Sequence, residues 1–225
     1  MKAIICFKKQ DSSKYISHLD LQRTVDRALR RSGVAVQFST GYNPHIQMSF
    51  AFALKVGLTS DSEYLEVQID ENTDIKKAEQ AIKNCFPNGL EVNWVKIKKE
   101  NTKKLMASIS KAEYEIILND IDDYDKIEGA IKEILSLDEM ELVKKTKKGT
   151  RSFDARPLIF ELGLEKEGNK IAALLSAQEK GTLDPNLLMQ KILLVAGIKC
   201  EYTIIRKNLL TTIDGISYPL SHLAL

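Results

Sequence analysis

The sequence predicts an α+β protein, and three observations support this. Short apolar, β-prone runs alternate with amphipathic helical segments along all 225 residues. The same order of elements occurs twice. Apolar residues make up 44% and charged residues 28% of the chain, which are ordinary values for a globular protein and exclude a disordered or fibrous one. Each half has the order β-α-β-β-α-β with one extra strand, so we expect two tandem ferredoxin-like halves.

The first half begins with a buried strand over residues 3–9 and a helix that follows Ser17. Ser17 and Asp20 have the spacing of a capping box, in which the serine hydroxyl accepts a hydrogen bond from a free backbone N–H. Gly33 follows the last turn, where a left-handed cap favours glycine. The pattern then predicts strands over residues 34–38, 48–56 and 63–69, a helix over 74–85 and a strand over 90–97.

The second half repeats this order. Asp184 is a favoured N-cap, and Pro185 suits the first position of the helix that ends near Gly197. The other predicted elements are strands over residues 113–118, 141–146, 158–164, 171–177 and 200–206, a helix over 124–137 and a loop over 147–156.

This pattern divides the chain into residues 1–100, residues 110–207 and a C-terminal tail over 208–225, with a charged linker between the two halves. The first ferredoxin-like domain carries His18 and the loop 41–45, and the second carries a basic loop over 144–156. The tail is apolar, so we expect it to pack on the core or to cover an edge strand.

Charge and cysteine content indicate a soluble cytoplasmic protein. The 33 basic and 31 acidic residues give a net charge of +2, which does not by itself indicate nucleic-acid binding, although an average hides local clusters. Cys6, Cys85 and Cys200 have neither metal-ligand nor redox spacing, so we expect buried free thiols in a reducing compartment. The early apolar run is too short for a signal peptide, and the longest uncharged stretch, residues 32–54, contains too many polar residues for a membrane span.

Four arginines follow one another on the polar side of the first predicted helix. A guanidinium group suits a phosphate because two parallel N–H groups meet two oxygens, so this helix is a candidate phosphate-binding surface. The alternative is a solvated helix face with ion pairs to Asp20 and Asp26. The arginines are Arg23, Arg27, Arg30 and Arg31.

A second basic cluster lies in residues 144–156, where Asp154 is the only acidic residue. Phe153 offers a stacking face within it, so the cluster favours a polyanion such as RNA. The alternative is a solvated hairpin loop. Its basic residues are Lys144, Lys145, Lys147, Lys148, Arg151 and Arg156.

The third candidate site combines Tyr15 and His18, near the start of a helix, with Tyr42, Asn43 and His45 in the loop 41–45. If the two histidines meet, they could bind a metal or move a proton, with Asp20 as the nearest carboxylate. The sequence specifies no third ligand, so we predict no metal site. His18, Asp20 and His45 are the catalytic candidates, and the alternative is a loop that packs on a helix end.

Several segments resemble a bacterial domain of unknown function that is fused to the C-terminus of radical SAM proteins or stands alone beside them. The matching segments are residues 15–20, 27–33, 39–45, 48–50, 56–57, 63–65 and 154–159. The resemblance implies a separate radical SAM partner. This chain lacks three closely spaced cysteines, so the iron–sulfur cluster and S-adenosylmethionine are expected only in that partner, and no cofactor in this chain.

Three hypotheses follow. The chain is an accessory RNA-binding subunit that presents tRNA or rRNA to a radical SAM enzyme, with Tyr42 or Phe153 stacking on a base. Alternatively, it docks on that enzyme through residues 32–54 without touching RNA. A third possibility is an enzyme that uses His18, His45 and Asp20, which requires their side chains to converge.

Overall fold

The chain forms two compact units. The first comprises Met1–Ile109 together with Asn208–Leu225, and the second comprises Ser110–Lys207. The computed structural model describes residues 1–119, 121, 123–146, 149–178 and 181–225, with the backbone alone at residues 145 and 146. The mixture of strands and helices confirms the predicted α+β class.

In chain order, the strands are β1 (Lys2–Lys9), β2 (Met48–Phe50), β3 (Thr59–Gln68), β4 (Leu90–Ile97), β5 (Ile109–Asn119), β6 (Glu141–Thr146), β7 (Gly149–Asp154), β8 (Ile159–Glu165), β9 (Lys170–Gln178), β10 (Gly181–Thr182), β11 (Glu201–Ile213) and β12 (Ile216–Pro219). The helices are α1 (His18–Ser32), α2 (Ile75–Cys85), α3 (Leu105–Ser108), α4 (Tyr124–Ser136) and α5 (Pro185–Ala196).

The sheet of the first unit has the order β4-β1-β3-β2, and each of these neighbours pairs antiparallel. Strand β3 therefore lies between β1 and β2, the two strands that are joined through α1. A third strand between the two ends of a β-α-β connection is the defining feature of the split arrangement predicted for this half. The register is well defined at Ala3, which pairs with Val67 on one side and Ile97 on the other.

Helix α1 forms where the capping residues predict. The Ser17 hydroxyl oxygen accepts from the Asp20 backbone N–H at 3.1 Å, and Gly33 ends the helix with a φ of +67°. The buried face of the helix consists of Leu21, Val25, Ala28 and Leu29. Three of these side chains join the core formed by the sheet and α2, which includes Ile5, Phe7, Leu65, Val67 and Ile82.

The second unit repeats this organisation. Strand β9 lies between β5 and β8, again with antiparallel pairing, and α4 packs against α5. The first part of β11 lies beside β5, where the Lys207 ammonium is 3.5 Å from the Glu115 carboxylate. Strands β6 and β7 form a separate two-stranded hairpin between α4 and β8.

Several predicted elements differ from the structure. The strand predicted over 48–56 is limited to β2, since the chain bends and turns after Phe50, and the last strand continues past residue 206 to Ile213, into the predicted tail. Residues 34–38 form isolated bridges, Val36 with Ile69 and Phe38 with Ile46, because β2 occupies the edge of the sheet beside β3. The predicted loop over 147–156 is in its described part mainly strand β7, since residues 149–154 pair with β6. The basic residues of this segment are therefore presented on a hairpin rather than on an irregular loop.

The C-terminal segment returns to the first unit. Strand β12 pairs with the end of β11, and the 3₁₀ turn after it buries Leu220 and Leu223. The Lys99 N–H donates to the Leu223 carbonyl at 2.9 Å, and the Leu225 N–H donates to the Ile97 carbonyl at 2.8 Å. These bonds cover the end of the outer strand β4, where an open edge would otherwise be free to pair with another chain.

A buried ion network lies on this unit's sheet. The Glu66 carboxylate contacts the Lys98 ammonium at 2.6 Å and the Lys2 ammonium at 2.8 Å. Lys98 is 6% exposed, whereas the Lys2 side chain is 46% exposed. Lys98 is therefore shielded from water, and Glu66 is the partner that compensates its buried charge, whereas water can still hydrate Lys2.

We expect Lys98→Met to destabilise the first unit by about 1–3 kcal/mol, because a buried carboxylate loses its closest charged donor. Lys2→Met is the matched control and should cost less than about 1 kcal/mol, since water can replace an exposed ammonium. Chemical denaturation of both variants measures the difference. If the two variants lost the same free energy of unfolding, the role given to Lys98 would be contradicted.

The same network predicts a pH dependence. Burial alone raises the pKa of Glu66, but Lys2 and Lys98 outweigh it and hold the pKa below its ordinary value of 4.5. A carboxyl with a depressed folded-state pKa contributes its full stability above the unfolded-state pKa and loses it as the pH falls through the folded value. The stability difference between wild type and Glu66→Gln should therefore be largest near neutral pH and shrink below pH 4.5 in a denaturation series. A difference in the free energy of unfolding that does not change with pH would contradict this role of Glu66.

Candidate functional site

The first unit has an open pocket of about 490 Å³ between α1 and the segment that leads into β2. Its charged and polar side chains come mainly from α1, and its apolar side chains come from both walls. They are Leu19, Gln22, Arg23, Asp26, Arg27, His45, Ile46, Met48 and Phe50. The arginine helix and the loop 41–45, which the sequence indicated separately, are thus two walls of one site.

The rotation of α1 about its own axis, which its buried face fixes, explains why Arg23 and Arg27 both reach the pocket. Leu21, Val25 and Leu29 are fully or almost fully buried in the core. Because an α-helix repeats every 3.6 residues, burying these positions turns Arg23 and Arg27 toward the outer side, one turn apart.

Arg30 fastens the loop to the helix. Its guanidinium donates to both Asp26 carboxylate oxygens, at 2.7 and 3.4 Å, and to the Pro44 carbonyl at 3.4 Å. It also lies 4.8 Å from the centre of the Phe38 ring, within the range of a cation–π contact. Arg30 therefore has a structural role here.

Arg31 is also engaged, since it donates to the Cys85 carbonyl at 2.8 Å, at the end of α2. Arg23 has only an exposed ion pair with Asp20 at 3.5 Å. Arg27 is exposed and has no hydrogen bond or ion pair within the described chain. Of the four arginines, Arg23 and Arg27 thus keep guanidinium groups available for a ligand.

The loop 41–45 is closed by its own hydrogen bonds. The Ser39 N–H donates to the His45 carbonyl at 2.8 Å, and the His45 N–H donates to the Ser39 hydroxyl at 3.0 Å. Gly41 has a φ of +125°, which a side chain at this position would strain. The loop holds Tyr42 fully exposed and places His45 on the pocket wall.

His18 lies behind the pocket rather than in it. Its ring packs edge-on against Phe50, and the Gln22 amide nitrogen donates to its Nε2 at 3.2 Å. Burial lowers the pKa of His18, opposed by Glu63 and assisted by Lys9, so the ring stays neutral near pH 7 and accepts this bond.

The three catalytic candidates do not form one cluster in the described structure. The Asp20 carboxylate accepts from the Ser17 hydroxyl at 2.7 Å and pairs with Arg23, while His45 lines the pocket. No described contact joins His18, Asp20 and His45, so the convergence required for an enzyme of this kind is not observed. Among the described residues, no three His, Cys, Asp or Glu side chains are placed to hold a metal ion.

Sequence reasoning missed the buried polar groups near His18. Lys9 and Glu63 are each 1% exposed, and the Lys9 ammonium donates to the Ile16 carbonyl at 3.4 Å. Lys9 follows Phe7 by two residues, so strand alternation places both side chains on the core face. The sequence signal that indicates this buried charge is Lys9 itself, a charged residue at a core-facing position of a strand.

In the second unit, the hairpin β6–β7 presents two like charges opposite each other. Lys144 pairs with Arg151 across the strands, and the adjacent pair on the same face is Leu142 with Phe153. Asp154 accepts from the backbone N–H groups of Met140 and Arg156 at 2.8 and 3.0 Å, so it is engaged at the base of the hairpin. The exposed Lys144 and Arg151 therefore lie next to a half-buried aromatic ring.

The remaining basic residues of this cluster differ in their surroundings. Arg156 donates to the Leu135 carbonyl at 3.0 Å and to the Ile159 carbonyl at 3.4 Å, so it holds the end of α4. Lys145 pairs with Thr150 through the strand register, and its side chain is not described. Lys147 and Lys148 lie outside the described residues.

The cysteines show no reactive arrangement in the described chain. Cys6, Cys85 and Cys200 are free thiols; Cys6 is buried as expected, whereas Cys85 and Cys200 are only half-buried, so for these two the expected burial is wrong. Burial raises the pKa of the Cys6 thiol, which keeps it protonated. No described helix is long and apolar enough to cross a membrane.

The chain belongs to a bacterial family described as "Uncharacterized protein conserved in bacteria" (DUF2344), which matches residues 2–185. This confirms the resemblance to a bacterial family of unknown function, while the association with radical SAM proteins stays a prediction. A comparison with curated proteins gives no significant match.

One similar solved structure is a chain from the "Crystal Structure of a Cbf5-Nop10-Gar1 Complex". The two chains are 14% identical with a TM-score of 0.47, over 92% of this chain and 48% of that chain. This chain thus spans about half the length of that protein.

We expect Arg30→Gln to loosen the loop 41–45, because its contacts to Asp26, Pro44 and Phe38 are lost together. Amide hydrogen exchange should speed up several-fold at Ser39 and His45, whose N–H groups close the loop. Arg27→Gln is the matched control and should leave both rates unchanged. Unchanged exchange in Arg30→Gln would show that the loop closes without this arginine.

Proposed function

We propose that the chain is an accessory RNA-binding subunit that presents RNA to a separate radical SAM enzyme. The observation that carries the RNA-binding part is the cross-strand pair of Lys144 and Arg151 beside Phe153 on the hairpin β6–β7. Like charges directly opposite each other destabilise a strand pair, so a hairpin that keeps them is better suited to an anionic partner.

The hairpin supports an RNA ligand more than a free phosphate. Two cations contact successive phosphates, and an aromatic ring on the same face can stack on an unpaired base. Asp154 follows Phe153 by one residue and so belongs to the opposite face of the hairpin, where its carboxylate accepts backbone N–H groups. Arg156 serves the fold in this proposal, so the hairpin's RNA contacts reduce to Lys144, Arg151 and Phe153, with Lys145, Lys147 and Lys148 as further candidates.

The partner in this proposal follows from the resemblance of the sequence. A radical SAM enzyme needs an iron–sulfur cluster held by cysteine thiolates, which the partner would provide. In this arrangement, the present chain captures tRNA or rRNA electrostatically, and the partner supplies the cluster and S-adenosylmethionine. The chain itself then needs no catalytic residue.

A second candidate function is docking on the enzyme without RNA contact. It is favoured by three exposed apolar side chains: Leu19 at the start of α1, Tyr15 just before the helix, and Val56 between β2 and β3. Tyr15 and Val56 lie close in space, since their neighbours are joined by a hydrogen bond from the Gly57 N–H to the Lys14 carbonyl at 2.8 Å. Co-purification with the enzyme that survives nuclease treatment, with no RNA affinity in either component, would favour this function.

The test is a filter-binding titration of the full chain with single-stranded tRNA and rRNA fragments at several salt concentrations. Lys144→Gln combined with Arg151→Gln should reduce the slope of log K against log salt by about 1.4, because each phosphate contact on a single strand contributes about 0.7. Phe153→Leu should weaken binding by about 1–3 kcal/mol without changing the slope, since stacking releases no counterions.

Lys132→Gln is the matched control, because Lys132 is an exposed lysine on α4 of the same unit that pairs with Glu128 at 2.6 Å. It should leave affinity and salt slope unchanged. Absence of RNA binding at low salt, or an equal effect of the control and the hairpin variants, would refute the proposed function.

A further inference from the structure

We infer that the pocket between α1 and β2 holds one nucleotide of a bound RNA, with its phosphate on Arg23 and Arg27 and its base against the apolar side chains of the pocket. This inference rests on the proposed RNA binding and assigns a single-nucleotide site to the first unit. It concerns residues other than those of the hairpin β6–β7, so the two can be tested separately.

The charges of the pocket favour an anion. Asp26 is the only acidic residue among its lining side chains, and Arg30 neutralises it through both carboxylate oxygens. Arg27 has no described partner, and the exposed pair of Arg23 with Asp20 is worth little. Two guanidinium groups one helical turn apart can therefore bind the oxygens of one phosphate group.

The apolar side chains show that the ligand is more than a phosphate ion. The accessible apolar surface of the pocket comes from Leu19, which is 54% exposed, and from the half-buried Met48, while the buried side chains of Ile46 and Phe50 back it. A phosphate ion gains nothing from such a surface, whereas a nucleobase buries a flat, largely apolar face on it. The pocket volume of about 490 Å³ falls within the usual range for a small ligand and suits one unstacked nucleotide rather than a duplex.

Gln22 is placed to read the edge of the base. Its amide nitrogen donates to Nε2 of His18, which fixes the orientation of the side chain at the pocket wall. The Gln22 carbonyl oxygen is then left as an acceptor for a ligand N–H. A base with an exocyclic amino group offers N–H donors to this acceptor, whereas the single ring N–H of uracil lies between two carbonyl oxygens, which the acceptor repels.

The experiment is isothermal titration of the full chain with AMP, UMP and inorganic phosphate, followed by displacement of AMP with a short single-stranded oligoribonucleotide. AMP should bind more tightly than UMP and much more tightly than phosphate, and the oligoribonucleotide should displace it. Arg27→Gln should weaken AMP binding by about ten-fold, the loss of one charge-assisted contact. This side chain is exposed and unpaired, so the variant should fold normally.

Lys77→Gln is the matched control, because it removes one exposed positive charge from α2 of the same unit. It should leave AMP binding unchanged. The inference is overturned if AMP does not bind, if phosphate binds as well as AMP, if Arg27→Gln binds like the wild type, or if the oligoribonucleotide fails to displace AMP. Equal binding of AMP and UMP would overturn the role given to Gln22.

The two proposals fail in different ways. RNA binding without AMP binding overturns the nucleotide pocket and leaves the proposed function standing. AMP binding without RNA binding overturns both the proposed function and the assignment of the pocket to RNA, and makes the pocket a site for a free nucleotide. Loss of RNA affinity in the hairpin variants with AMP affinity retained supports two separate sites.

Discussion

The burial of one face of α1 on the sheet of the first unit is the constraint on which the candidate site depends. Leu21, Val25 and Leu29 fill the core beside β1 and β3, and this fixes the roll of the helix. Once the roll is fixed, every other position of α1 has a set direction. Arg23 and Arg27 reach the pocket, and the next turn reaches the loop 41–45.

The position of each arginine decides its role, although the four share the same chemistry. The Arg30 guanidinium is engaged by Asp26, Pro44 and Phe38, and the Arg31 guanidinium donates to a carbonyl at the end of α2. A guanidinium group that already satisfies carbonyl and carboxylate oxygens stabilises the fold and has little left for a ligand. The second unit shows the same division, since Arg156 holds the end of α4 while Arg151 faces Lys144 across the hairpin.

Buried polar groups connect the core to the site. The Lys9 ammonium contacts the Ile16 carbonyl just before α1 begins, which ties the end of β1 to the start of the helix. Glu63 and Lys9 act on the charge of His18, and His18 in turn positions Gln22 at the pocket wall. Removing charged groups from water costs free energy, so their presence at this end of the core indicates a demand for orientation rather than for stability alone.

Local sequence features are sufficient to predict the longer helices and most of the strands in their order, because caps and periodicity act locally. Ser17 and Asp20, Asp184 with Pro185, and the apolar spacing of α1 each predict a helix without reference to the rest of the chain. Strand pairing and the distances between elements depend on tertiary packing, which local patterns do not specify. This packing placed residues 34–38 outside the sheet because β2 already occupied that edge, and it paired residues 149–154 with β6. It also placed His45 and Arg27 on the walls of one pocket while leaving His18 outside its lining, since distances between elements are set by packing and not by spacing along the chain.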